Sequence, residues 1–136
     1  NIHLYYNKRI HIYVIIYSGD YMELVNTYTY EIKKSKFIGI LYKVNSIDEV
    51  NDILKNLQTE HKKARHIPYA YKIGSLAKKS DDKEPANTAG TPIYNVIERN
   101  NLDNVLIVVI RYFGGIKLGA GPLLRSYAKA ANEVIK

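Results

Sequence analysis

The sequence contains no cysteine and no tryptophan, a single methionine at position 22, and only four prolines in 136 residues. Without cysteine there is no disulfide, no zinc–thiolate site and no cysteine nucleophile. The four histidines include no HExxH-type pair, so a metal site would need carboxylates to complete it. Long hydrophobic runs are missing as well. The apolar stretches at residues 12–17 and 105–110 fall far short of the ~20 residues that span a bilayer as a helix. Lys8 and Arg9 precede the first of these, but the small-residue cleavage site of a secretion signal is not there. The expectation is a cytoplasmic protein without membrane contact, with no internal repeat and no low-complexity tract.

What is present is basic. Lysine and arginine outnumber aspartate and glutamate by 20 to 13, a formal net charge of +7, which suits an anionic partner such as RNA, a ribosome or an acidic protein. The length is one domain's worth and enough to bury a core. Residues 1–21 precede the sole methionine, Met22. The expectation is a domain over residues 22–136 behind a non-native or poorly ordered extension. Within that extension the alternation Ile10, Ile12, Val14, Ile16 has the period of an edge strand.

Along the rest of the chain, residues 24–32 alternate as a half-buried strand and residues 37–44 read as a more buried one. Ser46, with Glu49 three residues on, forms a capping-box pattern. It opens a helix with Ile47, Val50, Ile53, Leu54 and Leu57 as its buried stripe. A basic connector at residues 61–66 leads to a third strand carrying Tyr69, Tyr71 and Ile73. Residues 74–90 show no apolar period, which predicts a long loop. Thr91-Pro92 opens a short helix with Ile93, Val96 and Ile97 inward, Pro92 standing where its missing N–H costs little. A last helix has Leu123, Leu124, Tyr127, Ala128, Ala131, Val134 and Ile135 as its stripe. The order β-β-α-β-α-β-α predicts an α+β two-layer sandwich, a largely antiparallel sheet with helices on one face.

Residues 104–120 organise the chain. The run from Val105 to Ile110 is of the kind a strand buried on both faces requires. Arg111, two aromatics and the turn containing Gly114, Gly115, Lys117, Gly119 and Gly121 follow, and then the last helix. Strand, glycine turn and helix together present bare N–H groups to an anion; the same glycines equally serve tight turns and close packing. Arg111 reads either as an ion-pair partner of Asp81, Asp82 or Glu84, or as a ligand contact. Those three carboxylates read as loop charges or salt-bridge partners before they read as acid–base or Mg²⁺ residues, and Thr88 as a cap before it reads as a ligand contact. Lys117 and Arg125 flank the turn and suit phosphate, or are solvated surface. Lys62, Lys63, Arg65, Lys72, Lys78 and Lys79 interleave with Tyr69 and Tyr71, which read as core or sheet-face residues, with base stacking as the alternative.

The segments EIKKSKFIG (31–39), DDKEPANTAGTPIYNV (81–96) and VIRYFGGIKLGAGPLLRSYAKA (109–130) resemble the YigZ/IMPACT family. The Arg-aromatic-aromatic-Gly-Gly turn followed by Leu-Gly-x-Gly is the specific part. The resemblance covers residues 22–136 and implies a fold similar to the ribosomal-protein/elongation-factor-G domain IV-like superfamily, which also holds the GHMP kinases. It further implies that a C-terminal ferredoxin-like domain accompanies this one in the full-length family. Three departures stand out: Lys83, Ala86 and Asn87 replace Gly, Ser and Gly of the family's acidic loop; Pro122 replaces a glycine; and His66-Ile67-Pro68 replaces a His-Asn-Cys-like segment.

The function expected from charge, turn and resemblance is a non-enzymatic, translation-associated regulatory binding domain. It would engage RNA or a ribosome- or translation-factor-linked partner through Arg111, the glycine turn, Lys117 and Arg125, without a cofactor or metal. Two alternatives stay open: a phosphate-handling enzyme with a GHMP-kinase-like glycine loop, which here lacks an evident nucleophile or general base, and a protein-interaction module.

Overall fold

The computed structural model describes residues 2–7, 12–17 and 20–136, with side chains from residue 24 onward. Among these residues seven strands form one sheet: β1 (Ile2–Asn7), β2 (Ile12–Tyr17), β3 (Asp20–Ile32), β4 (Ser35–Lys43), β5 (Tyr69–Ile73), β6 (Leu76–Ser80) and β7 (Val105–Tyr112). Their spatial order is β1-β2-β3-β4-β7-β5-β6, and every neighbouring pair is antiparallel. The described residues also form three helices: α1 (Ile47–Glu60), α2 (Gly90–Arg99) and α3 (Ala120–Val134). None of the helices among the described residues is long and apolar enough to cross a membrane.

The α+β class and the antiparallel sheet stand as expected from the sequence. The layering is different, because helices do not all lie on one face. Successive residues of a strand point to opposite faces. Phe37 and Leu41 of β4, with Ile107 and Val109 of β7, pack under α2 and α3. Ile40 and Tyr42, with Leu106, Val108 and Ile110, pack instead against Val50, Ile53 and Leu57 of α1. The central strand β7 is therefore buried on both sides. Its continuous apolar run requires this, since an alternating polar residue would have no water to face.

Local chemistry sets the element ends. Ser46 caps α1, its Oγ accepting the Glu49 N–H at 3.2 Å, while the Glu49 carboxylate accepts the Asn45 N–H at 2.8 Å. Lys33 and Lys34, at φ 46° and 65°, make the two-residue turn between β3 and β4. Both angles are left-handed, the geometry of a hairpin turn whose twist matches its strands.

Three further expectations need correction. Part of the supposed long loop is β6, an outer strand whose exposed residues leave no apolar period to read. Leu124 is exposed rather than part of the α3 stripe. In the N-terminal segment, Ile12–Tyr17 is an inner strand between β1 and β3 rather than an edge. Ile10, like residues 1, 8–11 and 18–19 of the expected extension, lies outside the described residues.

Candidate functional site

At the C-terminal end of β7 four segments meet: the β3–β4 turn, the connector at residues 61–66, the loop at residues 81–89 and the glycine turn before α3. The connector is sewn to β7 by main-chain bonds, Arg65 N–H and Arg111 N–H each donating at 2.9 Å, to the carbonyls of Arg111 and His66 respectively.

Beneath these segments Arg111 and Glu84 form a buried ion pair, with 6% and 7% of their surfaces exposed. The Arg111 Nη1 donates to both Glu84 oxygens, at 3.0 and 2.7 Å. The Tyr127 hydroxyl donates to Glu84 Oε2 at 2.5 Å, and His66 Nε2 lies 3.3 Å from Oε1. The other Arg111 nitrogen, Nη2, reaches Ser35 Oγ at 3.4 Å. The guanidinium carbon stands 5.5 Å from the centre of the Phe37 ring and 5.7 Å from that of Phe113, distances at which aromatic faces attract a cation. Its Nε has no hydrogen-bond partner among the described residues. Burial, and next the Glu84 charge beside it, push the Tyr127 hydroxyl far above its ordinary range, so it stays protonated and donates. With both oxygens of Glu84 committed, this carboxylate is a clasp holding loop to sheet and not a free base.

The other acidic residues turn elsewhere. Asp81 accepts the N–H groups of Asn87, Ala89 and Gly90 at 3.0, 3.2 and 2.8 Å. Burial alone would raise its carboxyl, but those three N–H groups and the Lys79 charge hold it below the ordinary value. It thereby satisfies the start of α2, whose N-cap, Ala89, has no side-chain oxygen to offer. Thr88, the expected cap, instead donates to the Pro85 carbonyl at 2.6 Å. Asp82 accepts the Ile67 N–H at 2.7 Å, and its carbonyl accepts from His66 Nδ1 at 2.8 Å. Of the three carboxylates, Glu84 is the one that pairs with Arg111 among the described residues. No cluster of three or more metal-ligating side chains occurs among the described residues. Lys83 and Asn87, at positions where the pattern the chain resembles carries glycine, have φ of 68° and 64°, left-handed backbone that glycine adopts without strain.

In the glycine turn, a Cβ on Gly114 would overlap the Lys34 carbonyl oxygen, so its bareness serves the docking of the turn on the β3–β4 hairpin. Gly115 has φ 99°. Gly119 is the N-cap of α3 without a side-chain cap, and the Arg125 guanidinium folds back over Gly121, 3.2 Å from where a Cβ would stand. Pro122 withholds one N–H from that first turn. Lys117 and Arg125 are both exposed. In the second basic surface, Tyr71 is buried and Tyr69 stacks on it with ring centres 6.5 Å apart, so both act as sheet-face residues.

Four participants went unremarked as site residues in the sequence: Tyr127, His66, Ser35 and Phe113. Only Tyr127 carried a signal, since a tyrosine on a buried helical stripe needs a partner for its hydroxyl. Phe113 sits with Arg65 4.8 Å over its ring.

The pattern defining the Impact N-terminal domain matches residues 33–135. The chain is 42% identical over 105 residues to IMPACT family member YvyE of Bacillus subtilis, covering 75% of this chain and 48% of that protein. The chain spans 40–54% of the length of the bacterial relatives it matches. Among solved structures, the crystal structure of a hypothetical protein superposes with a TM-score of 0.78 at 34% identity, over 81% of this chain and 56% of that one. The two-domain translational regulator Yih1 superposes with a TM-score of 0.51 at 25% identity, over 85% of this chain and 48% of that one.

Proposed function

Because the chain belongs to the IMPACT family through its N-terminal domain, we propose that it acts in the cytoplasm as a non-enzymatic, translation-regulatory binding domain. Its ligand is RNA, or a ribosome- or translation-factor-linked partner, engaged by the glycine turn and the basic side chains around it. The relative Yih1, a translational regulator, supports the translation link.

The observation that carries the reading is how charge is disposed where β7 ends. Asp81, Asp82 and Glu84 are bonded inward to main-chain N–H groups or to Arg111. Lys34, Arg65, Lys83, Lys117 and Arg125 are exposed on the segments that meet there. Five exposed cations thus gather at that end, and the N-terminus of α3 adds its partial positive charge.

Filter binding of single-stranded RNA across a salt series tests this. The expected result is binding at low salt that weakens as salt rises, with a log–log slope of roughly 0.7 per phosphate contacted. The paired reversal Lys117→Glu with Arg125→Glu lowers both affinity and slope. Absence of binding at low salt, or binding indifferent to that reversal, overturns the RNA reading.

A further inference from the structure

We infer that β6 is a docking edge for an extended acidic segment of a partner protein, which joins the sheet as one more strand. β6 closes the sheet order on this side. It is joined to β5 by the two-residue turn at positions 74–75, with Ile73 opposite Leu76. In such a hairpin the closing pair is hydrogen-bonded, and the antiparallel alternation then commits the main chain of Leu76, Lys78 and Ser80 to β5. The N–H and C=O groups of Ala77 and Lys79 face outward, a ready row for strand addition. The edge is held in place: Asp103 accepts the Gly74 N–H at 2.9 Å at the hairpin tip, and Lys79 Nζ donates to Thr91 Oγ1 of α2 at 3.1 Å.

The two sides of this edge differ. Ala77 and Lys79 pair with Lys72 and Ala70, and Ala70 lies in the core under α2 and α3. On that side a groove of about 260 Å³ runs between β6 and α2, with Ala77, Lys79 and Tyr94 in its lining. On the other side Leu76 is 53% exposed, and Lys78 lies over the Tyr69 ring. An incoming strand with acidic side chains over the groove and apolar ones over Leu76 matches both.

Charge selects the occupant. Adjacent Lys78 and Lys79 give the edge a cation on each side. Of the acidic residues nearby, Glu98 is engaged by the Tyr94 hydroxyl at 2.5 Å and by Lys72 at 3.9 Å, and Asp81 by three main-chain N–H groups. A second copy of β6 would bring lysines against lysines, which cross-strand pairing disfavours. An acidic strand reverses that sign.

The surface shares no residue with the glycine turn, so its test separates from that of RNA binding. The probe is a fluorescent peptide of about eight residues alternating glutamate and valine, with a lysine–valine peptide as control. Expected are salt-sensitive binding of the acidic peptide alone and slowed hydrogen exchange at the Ala77 and Lys79 amides. Ala77→Pro removes an outward N–H that β5 does not use, a place where an edge strand tolerates proline, and lowers affinity about tenfold. Lys78→Glu with Lys79→Glu, which keeps the strand's main chain, abolishes the preference for the acidic peptide. Lys117→Glu with Arg125→Glu leaves peptide binding unchanged. The inference is overturned if the acidic peptide fails to bind at millimolar concentration. It is equally overturned if the peptide binds without protecting those two amides, or binds the folded Ala77→Pro and double-glutamate variants as tightly as the parent.

Discussion

A buried carboxylate is tolerable when its charge is met in place, and Glu84 is met by Arg111 on both oxygens and by the Tyr127 hydroxyl on one. Removing one partner of such a pair strands the other, at a cost of about 3–5 kcal/mol. Glu84→Ala is therefore expected to lower the free energy of unfolding by that amount in urea titrations. Tyr127→Phe keeps the ring against Phe37, 5.1 Å between centres, and loses one hydrogen bond to a charged group, about 1.5–3 kcal/mol. A Glu84→Ala loss smaller than that of Tyr127→Phe would show that the ion pair is not the clasp. Asp81 makes a separate prediction through pH. Its carboxyl is held below the ordinary 3.8 of an unfolded chain. The stability it contributes is thus fully present above that value and disappears as pH falls through the lower folded-state value. Thermal midpoints measured from about pH 5 down to about pH 2 should drop in the parent and drop less steeply in Asp81→Asn, which has no carboxyl to titrate.

Within the glycine turn the elements dictate which glycine does what. Gly114 rests on the β3–β4 hairpin with no room for a Cβ, whereas a Cβ on Gly119 would meet nothing nearer than 3.8 Å, a ring atom of Pro122. Gly114→Ala should accordingly destabilise by about 1–3 kcal/mol as the hairpin and turn are forced apart. Gly119→Ala should cost no more than about 1 kcal/mol, the price of a poorer N-cap. Denaturant midpoints that reverse this order would refute the packing role. The same contrast shows what the sequence made legible. The run from Val105 to Ile110 demands cover on both faces, and α1 supplies the second cover; the one-face layering overlooked what that run required. The Ser46–Glu49 cap was readable because its partners are three residues apart. Glu84 and Arg111 are 27 apart, and nothing local distinguishes Glu84 from Asp81 or Asp82 as the partner. Ala89 hides its cap in the same way, because the oxygen comes from Asp81, eight residues upstream. β6 escaped for a third reason: an edge strand that faces solvent has no core face to impose alternation.

At the scale of the whole molecule, the sheet separates two ends of unlike character. β7 starts opposite Lys43 and finishes at Tyr112 opposite Lys36, beside the glycine turn. α3 runs from that turn back to Val134, whose carbonyl accepts from Asn26 at 3.1 Å. Lys43 and Lys136 therefore mark the far end of the sheet and of α3, and Lys117 and Arg125 the near end. Reversing either pair to glutamate lowers the net charge of +7 by the same amount. If RNA were drawn by net charge alone, the two double variants would lose affinity equally. Contacts localised at the near end instead predict that the Lys117/Arg125 pair loses about 1.4 from the log–log salt slope, roughly 0.7 for each phosphate released. The Lys43/Lys136 pair should keep the parental slope and shift only modestly in affinity, since charges farther off than a Debye length of about 8–10 Å are largely screened. Equal slopes for the two variants would move the binding surface away from the glycine turn, even with RNA binding itself intact.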